Sequence, residues 1–163
     1  MTAPRLAFAA IGLLLGGLIL AGGAAAAEIQ PFGRGSYAML RHEQAGKPVV
    51  INFWSLTCAP CIAELPRLAA FKARHPEMAL ILVSTDPIEQ APALNTRLAR
   101  FGLADAPSYA FADSFVERLM FEVSPDWRGE MPRTSLIGPM GEAETVLGMV
   151  EDSDLEAWLA RVR

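Results

Sequence analysis

Cysteine is scarce: the 163 residues hold two, Cys58 and Cys61, so within the chain each can pair only with the other. Histidine is equally scarce, with His42 and His75 alone. Two cysteines and two distant histidines make a poor ligand set for a structural zinc. His42 reads as a surface or loop residue and His75 as an ordinary residue near a helix end. Long basic runs are missing as well. Lys and Arg number 14 against 18 Asp and Glu, a formal charge of −4. Arg97 and Arg100 are too sparse for a nucleic-acid groove, which excludes that class of partner. Beyond the N-terminal segment there are no repeats or low-complexity tracts.

A long uncharged run is present at the N-terminus. Arg5 is followed by 22 uncharged residues, Leu6 to Ala27, ending in Ala25-Ala26-Ala27. A short positive region, an apolar core and small residues at the end are the pattern of an export signal. The same run is long enough to serve as an uncleaved membrane anchor, since a spanning helix needs ~20 residues. Residues 1–27 are therefore expected to be a signal peptide or anchor, and residues 28–163 one exported domain. A lone cysteine pair in an exported chain fits an oxidising compartment.

Glu28 to Gly46 shows little periodicity. Pro31, Gly33 and Gly35 read as irregular chain, and Tyr37 to Arg41 as a short edge strand or helical turn. Val49 to Trp54 is apolar, β-branched and aromatic, which predicts a buried strand. From Ala59 the apolar spacing becomes helical, with Pro60 near the start and Pro66 where it should kink the helix. Met78 to Ser84 lacks polar alternation and predicts a second strand covered on both faces, ended by Asp86-Pro87. Ala91 to Phe101 reads as an amphipathic helix, Ser108 to Ala112 as a strand and Phe115 to Phe121 as a helix. Trp127 is placed either over the dithiol or against a core edge. Arg133 to Ile137 and Ala143 to Val150 read as a hairpin. Asp152 to Val162 reads as a last helix with an apolar stripe of Leu155, Trp158 and Leu159. Alternating strands and helices indicate βαβ organisation.

Cys58 and Cys61 lie where the first strand gives way to its helix. A structural disulfide between them would close a very short loop and stabilise little. The N–H groups of a first helical turn favour a thiolate on the leading cysteine. Thiol–disulfide exchange explains the pair best, with Cys58 attacking and Cys61 resolving the mixed disulfide. Two other readings use the same sulfurs. Cu(I) prefers thiolates, which keeps a copper carrier open, and Thr57 beside Cys58 invites a thiol peroxidase.

These residues closely resemble the thioredoxin superfamily, in particular its exported TlpA/ResA-like branch of thiol–disulfide oxidoreductases. Val50-Ile51-Asn52-Phe53-Trp54 is similar to the family's central strand. Cys58-Ala59-Pro60-Cys61 is similar to its redox motif, continued by Glu64 and Pro66. Pro132, before Arg133-Thr134-Ser135-Leu136-Ile137, is similar to its cis-proline. The resemblance implies an α/β fold with a central mixed sheet flanked by helices. It implies Cys58, Cys61, Glu64 and Pro132 as the catalytic set, Glu64 exchanging protons with the Cys61 thiol. Trp54, Thr57, Ala59, Pro60 and Met131 would contact substrate. Thr57 stands where relatives usually have tryptophan, which alters the surface around Cys58. Asn52 stands where cytoplasmic thioredoxins have a buried acid and cannot take a proton from Cys61. The implied partners are exported cysteine-containing clients, such as apocytochrome c or a copper-site assembly protein, and a membrane reductant of the DsbD/CcdA type. The implied location is the periplasm, free or tethered. No cofactor and no metal are called for.

Overall fold

The computed structural model describes residues 27–163. The expected signal or anchor segment, Ala27 apart, lies outside them. Among the described residues no helix is long and apolar enough to cross a membrane.

The elements in chain order are β1 (Gln30–Phe32), α1 (Ser36–Glu43), β2 (Val49–Trp54), α2 (Ala59–Arg74), β3 (Ala79–Pro87), α3 (Ala91–Arg100), β4 (Ser108–Phe111), α4 (Val116–Val123), β5 (Arg133–Ile137), β6 (Ala143–Leu147) and α5 (Asp152–Val162). A 3₁₀ turn, Ile88–Gln90, leads into α3. The six strands form one sheet in the order β1-β4-β3-β2-β5-β6. β1, β4, β3 and β2 run parallel, and β5 and β6 pair antiparallel to complete it. This is the mixed α/β sheet the resemblance implied.

Side-chain alternation divides β2 between two cores. Val50 and Trp54 enter one cluster with residues of α2, α3 and α5, including Cys61, Leu65, Leu94 and Trp158. Val49, Ile51 and Phe53 enter the other, with Tyr37 and Leu40 of α1 and Leu119 of α4. All six residues of β2 are buried, which is why its sequence shows so little polar alternation. Leu155, Trp158 and Leu159 are buried as the apolar stripe of α5.

Two local expectations, at β1 and at the end of β3, are corrected. Gln30–Phe32, read as irregular, is an edge strand, because Phe32 is buried and the segment pairs with Tyr109–Phe111 of β4. Of the two readings of the Tyr37 region the helical one holds, with Gly35 before it at φ 76°, in the left-handed region glycine favours. Asp86-Pro87 does not end the second strand. β3 continues to Pro87, and its register on β4 shifts between Ser84 and Pro87. α2 is assigned as one helix through Pro66, whose ring is exposed.

Candidate active site

The sequence places Cys58 and Cys61 at the start of α2, at the C-terminal end of central β2. Cys58 is the N-cap, with extended backbone, and Pro60 lies in the first turn, where a missing N–H costs little. The two cysteines form a disulfide across a Cα separation of 5.2 Å. Cys58 Sγ accepts the Cys61 backbone N–H at 3.3 Å. The partners differ in access: Cys58 is partly exposed, whereas Cys61 is fully buried. An outer sulfur that a partner can reach and an inner one that it cannot is the asymmetry required of an attacking and a resolving thiol.

Glu64 is one helical turn beyond Cys61 and is also fully buried, at 0% exposure. Its carboxylate accepts the Val150 N–H on Oε1 and the Asn52 Nδ2–H on Oε2, the latter at 2.9 Å. Asn52 spends its other N–H on Thr134 Oγ1 at 2.9 Å, and its Oδ1 has no partner among the described residues. Burial pushes the Glu64 carboxyl above the ordinary carboxylate value; the Val150 and Asn52 hydrogen bonds and the Arg67 charge pull part of that back. A carboxyl so placed holds a proton more readily than a solvated one.

The Met131–Pro132 peptide bond is cis. Pro132 is buried, and its carbonyl accepts the Gly148 N–H at 2.9 Å. Met131 is partly buried and packs against both clusters. Thr57, Ala59 and Pro60 are exposed around Cys58. Trp54, expected among the residues touching substrate, is 1% exposed and lies in the core cluster with Cys61. Its position in β2 points the indole under α2, so it supports the dithiol from inside instead of facing a partner. Trp127 does not cover the dithiol either. It packs on the other face against Phe53, ring centroids 4.8 Å apart, and donates its indole N–H to the Glu130 carbonyl.

Asp86, a strand breaker by its sequence, lies near this site. Its Oδ2 accepts the Leu56 N–H at 2.8 Å, inside the loop that delivers Cys58. Val150 and Thr134 were also missed as partners of the Glu64 network. The lone asparagine in an apolar strand was the one signal that something polar waited beneath α2.

No family model matches the chain. The thiol–disulfide oxidoreductase ResA of Oceanobacillus iheyensis is 30% identical over 128 residues, which cover 70% of this chain and 56% of that protein; the chain thus spans little more than half of that relative's length. Sporulation thiol-disulfide oxidoreductase A of Bacillus subtilis is 25% identical over 125 residues, 69% of this chain and 67% of that protein. Among solved structures, a secreted Mycobacterium tuberculosis disulfide oxidoreductase homologous to E. coli DsbE matches with a TM-score of 0.57 at 19% identity, covering 74% of this chain and 85% of that one. That last likeness is one of fold.

Proposed function

We propose, from a chain that belongs to the thioredoxin superfamily and is homologous to its ResA-like branch, a thiol–disulfide oxidoreductase that reduces disulfides in exported client proteins. The observation that carries this reading is the partly exposed Cys58 joined to the buried Cys61 at the head of α2, with Glu64 buried on the same helix.

In the reduced protein the Cys58 thiolate attacks one sulfur of a client disulfide. The client S–S bond breaks, and the departing client sulfur takes a proton from water. Cys61, giving its proton to Glu64, then attacks Cys58 Sγ. The mixed disulfide breaks, and the second client sulfur leaves as a thiol with the proton that Glu64 gives up. The client gains two electrons and two protons, and the chain is left with the Cys58–Cys61 disulfide. Pro132 and Met131 form the wall against which the client segment lies, and Thr57, Ala59 and Pro60 form the rim around Cys58. A membrane reductant of the DsbD/CcdA type regenerates the dithiol. Residues 1–27 direct residues 28–163 to the periplasm, and the clients are proteins awaiting haem or copper.

The test is the equilibrium reduction potential of the reduced chain together with capture by a Cys61→Ala variant. A low potential and mixed disulfides with haem-protein precursors support the reductase. A high potential with indiscriminate capture makes the protein an oxidase instead. Tight Cu(I) binding without any redox equilibrium makes it a copper carrier.

A further inference from the structure

Two consecutive residues near the end of β3, Thr85 and Asp86, touch Met131 and the loop before Cys58. Ser84 is fully buried and stands opposite Trp54 in the sheet. Between Ser84 and Pro87 the pairing with β4 shifts register, which releases Thr85 and Asp86 from regular pairing. Thr85 Oγ1 donates to Met131 Sδ at 3.5 Å. Asp86 is gripped more firmly. Its Oδ2 accepts the Ser84 hydroxyl at 2.8 Å, and Ser84 Oγ accepts the Asp86 N–H at 3.0 Å. The same Oδ2 accepts the Leu56 N–H at 2.8 Å. Leu56 sits inside the turn that the Cys58 N–H closes on the Ser55 carbonyl at 3.3 Å.

We propose that Asp86 is a positioning residue for Cys58. This inference rests on the exchange reading of the dithiol. The carboxylate is fixed from behind by buried Ser84 and holds the Ser55–Cys58 turn by its Leu56 N–H, which keeps the attacking sulfur seated at the head of α2. A hydrogen bond to an ionised acceptor is about twice as strong as a neutral one. A hydroxyl bound to a thioether is weak by comparison. Asp86 is therefore the main strut and Thr85 the minor one. The negative charge has no favourable part in the attack, since a carboxylate near a thiol opposes its ionisation. What Asp86 contributes is geometry.

Substitution separates the two effects. In Asp86→Asn the side-chain oxygen can still accept from Leu56 and Ser84, and the charge is gone. Asp86→Glu keeps the charge but displaces the carboxylate by one methylene. Asp86→Ala removes grip and charge together. The measurement is the second-order rate constant of the reduced full chain with glutathione disulfide, which needs no protein-binding groove.

Asp86→Ala is expected to slow the reaction about tenfold or more, the loss of one charge-assisted hydrogen bond. Asp86→Glu is expected to slow it similarly, and Asp86→Asn to restore most of the wild-type rate. Should the alanine variant not fold, the Glu and Asn pair carries the same contrast. An alanine variant as fast as wild type, or an asparagine variant as slow as the glutamate one, overturns the proposal. A wild-type chain that shows no exchange overturns the reading beneath it, so the two failures are distinguishable.

Discussion

Glu64 and Arg133 are both buried, on opposite faces of the same sheet, and they are accommodated in different ways. Glu64 lies under α2, where Val150 and Asn52 each give its carboxylate an N–H. Arg133 opposes Phe53 on the aromatic face, is 4% exposed, and its Nε has no partner among the described residues. Its guanidinium lies 5.2 Å from the centroid of the Trp127 ring. Burial pulls the Arg133 pKa down, yet an arginine keeps its charge in proteins. Glu64 holds a proton more readily than a solvated carboxyl. The buried group whose proton affinity is raised thus lies on the face that holds Cys61, and the aromatic face is an anchor. That anchor is built from Phe32, Phe53, Phe111 and Trp127, which pack ring against ring.

The largest expected effect breaks the first face chemically. Cys58→Ser should abolish disulfide reduction altogether. Its stability against urea should stay within about 0.5 kcal/mol of the reduced wild type, as for a substitution at a partly exposed site. Residual exchange through Cys61 alone would contradict the division of labour between the two sulfurs. Next, Trp127→Ala should cost about 3–5 kcal/mol in a urea titration, the range for deleting a buried aromatic. The rate at which the folded, reduced variant is alkylated at Cys58 should be unaffected. A changed alkylation rate would mean the two faces are coupled.

Glu64→Gln should act through pH. Because the folded pKa lies above the ordinary 4.5, the native state binds the proton more tightly than the unfolded chain. Wild-type stability therefore falls as pH rises from about 4.5 through the raised folded value. The glutamine variant should lack that decline, and parallel stability curves for the two proteins would refute the assignment. The smallest expected effect is Arg133→Met, which keeps an unbranched chain over Trp127 and removes an unpaired buried donor. A change within about 1 kcal/mol of wild type, in either direction, is expected from replacing a buried charge with an apolar chain of similar volume. A loss of several kcal/mol would show that the guanidinium holds the aromatic face together.

The central strands and the dithiol were legible because their signals are local. Val49–Trp54 and Ala79–Val83 are apolar runs, and the helix after Cys58 has its own spacing. β1 was not legible. It has three residues with a proline in the middle, and its strand character comes from pairing with β4, about eighty residues away. Trp54 was misplaced among the residues touching substrate because nearness in sequence to Cys58 says nothing about which face of the sheet an indole enters. Asp86 looked like punctuation because its partner, Leu56, is 30 positions away. Val150 reaches Glu64 across 86 positions, through a backbone N–H that carries no residue-specific signal.

Residue types and short spacings alone determined that this chain carries a dithiol at a strand-to-helix junction and a glutamate one turn further on; Pro132 as a cis-proline came only from the family resemblance. The dithiol and the glutamate are matters of covalent chemistry and helical period. Tertiary structure alone decided that Cys61 and Glu64 are buried while Cys58 stays within reach. It also decided that Asn52 and Val150 supply the N–H groups for Glu64, and that Asp86 grips the loop before Cys58. Burial and hydrogen bonding depend on which distant segments meet, and they govern how readily each thiol and carboxyl changes its charge.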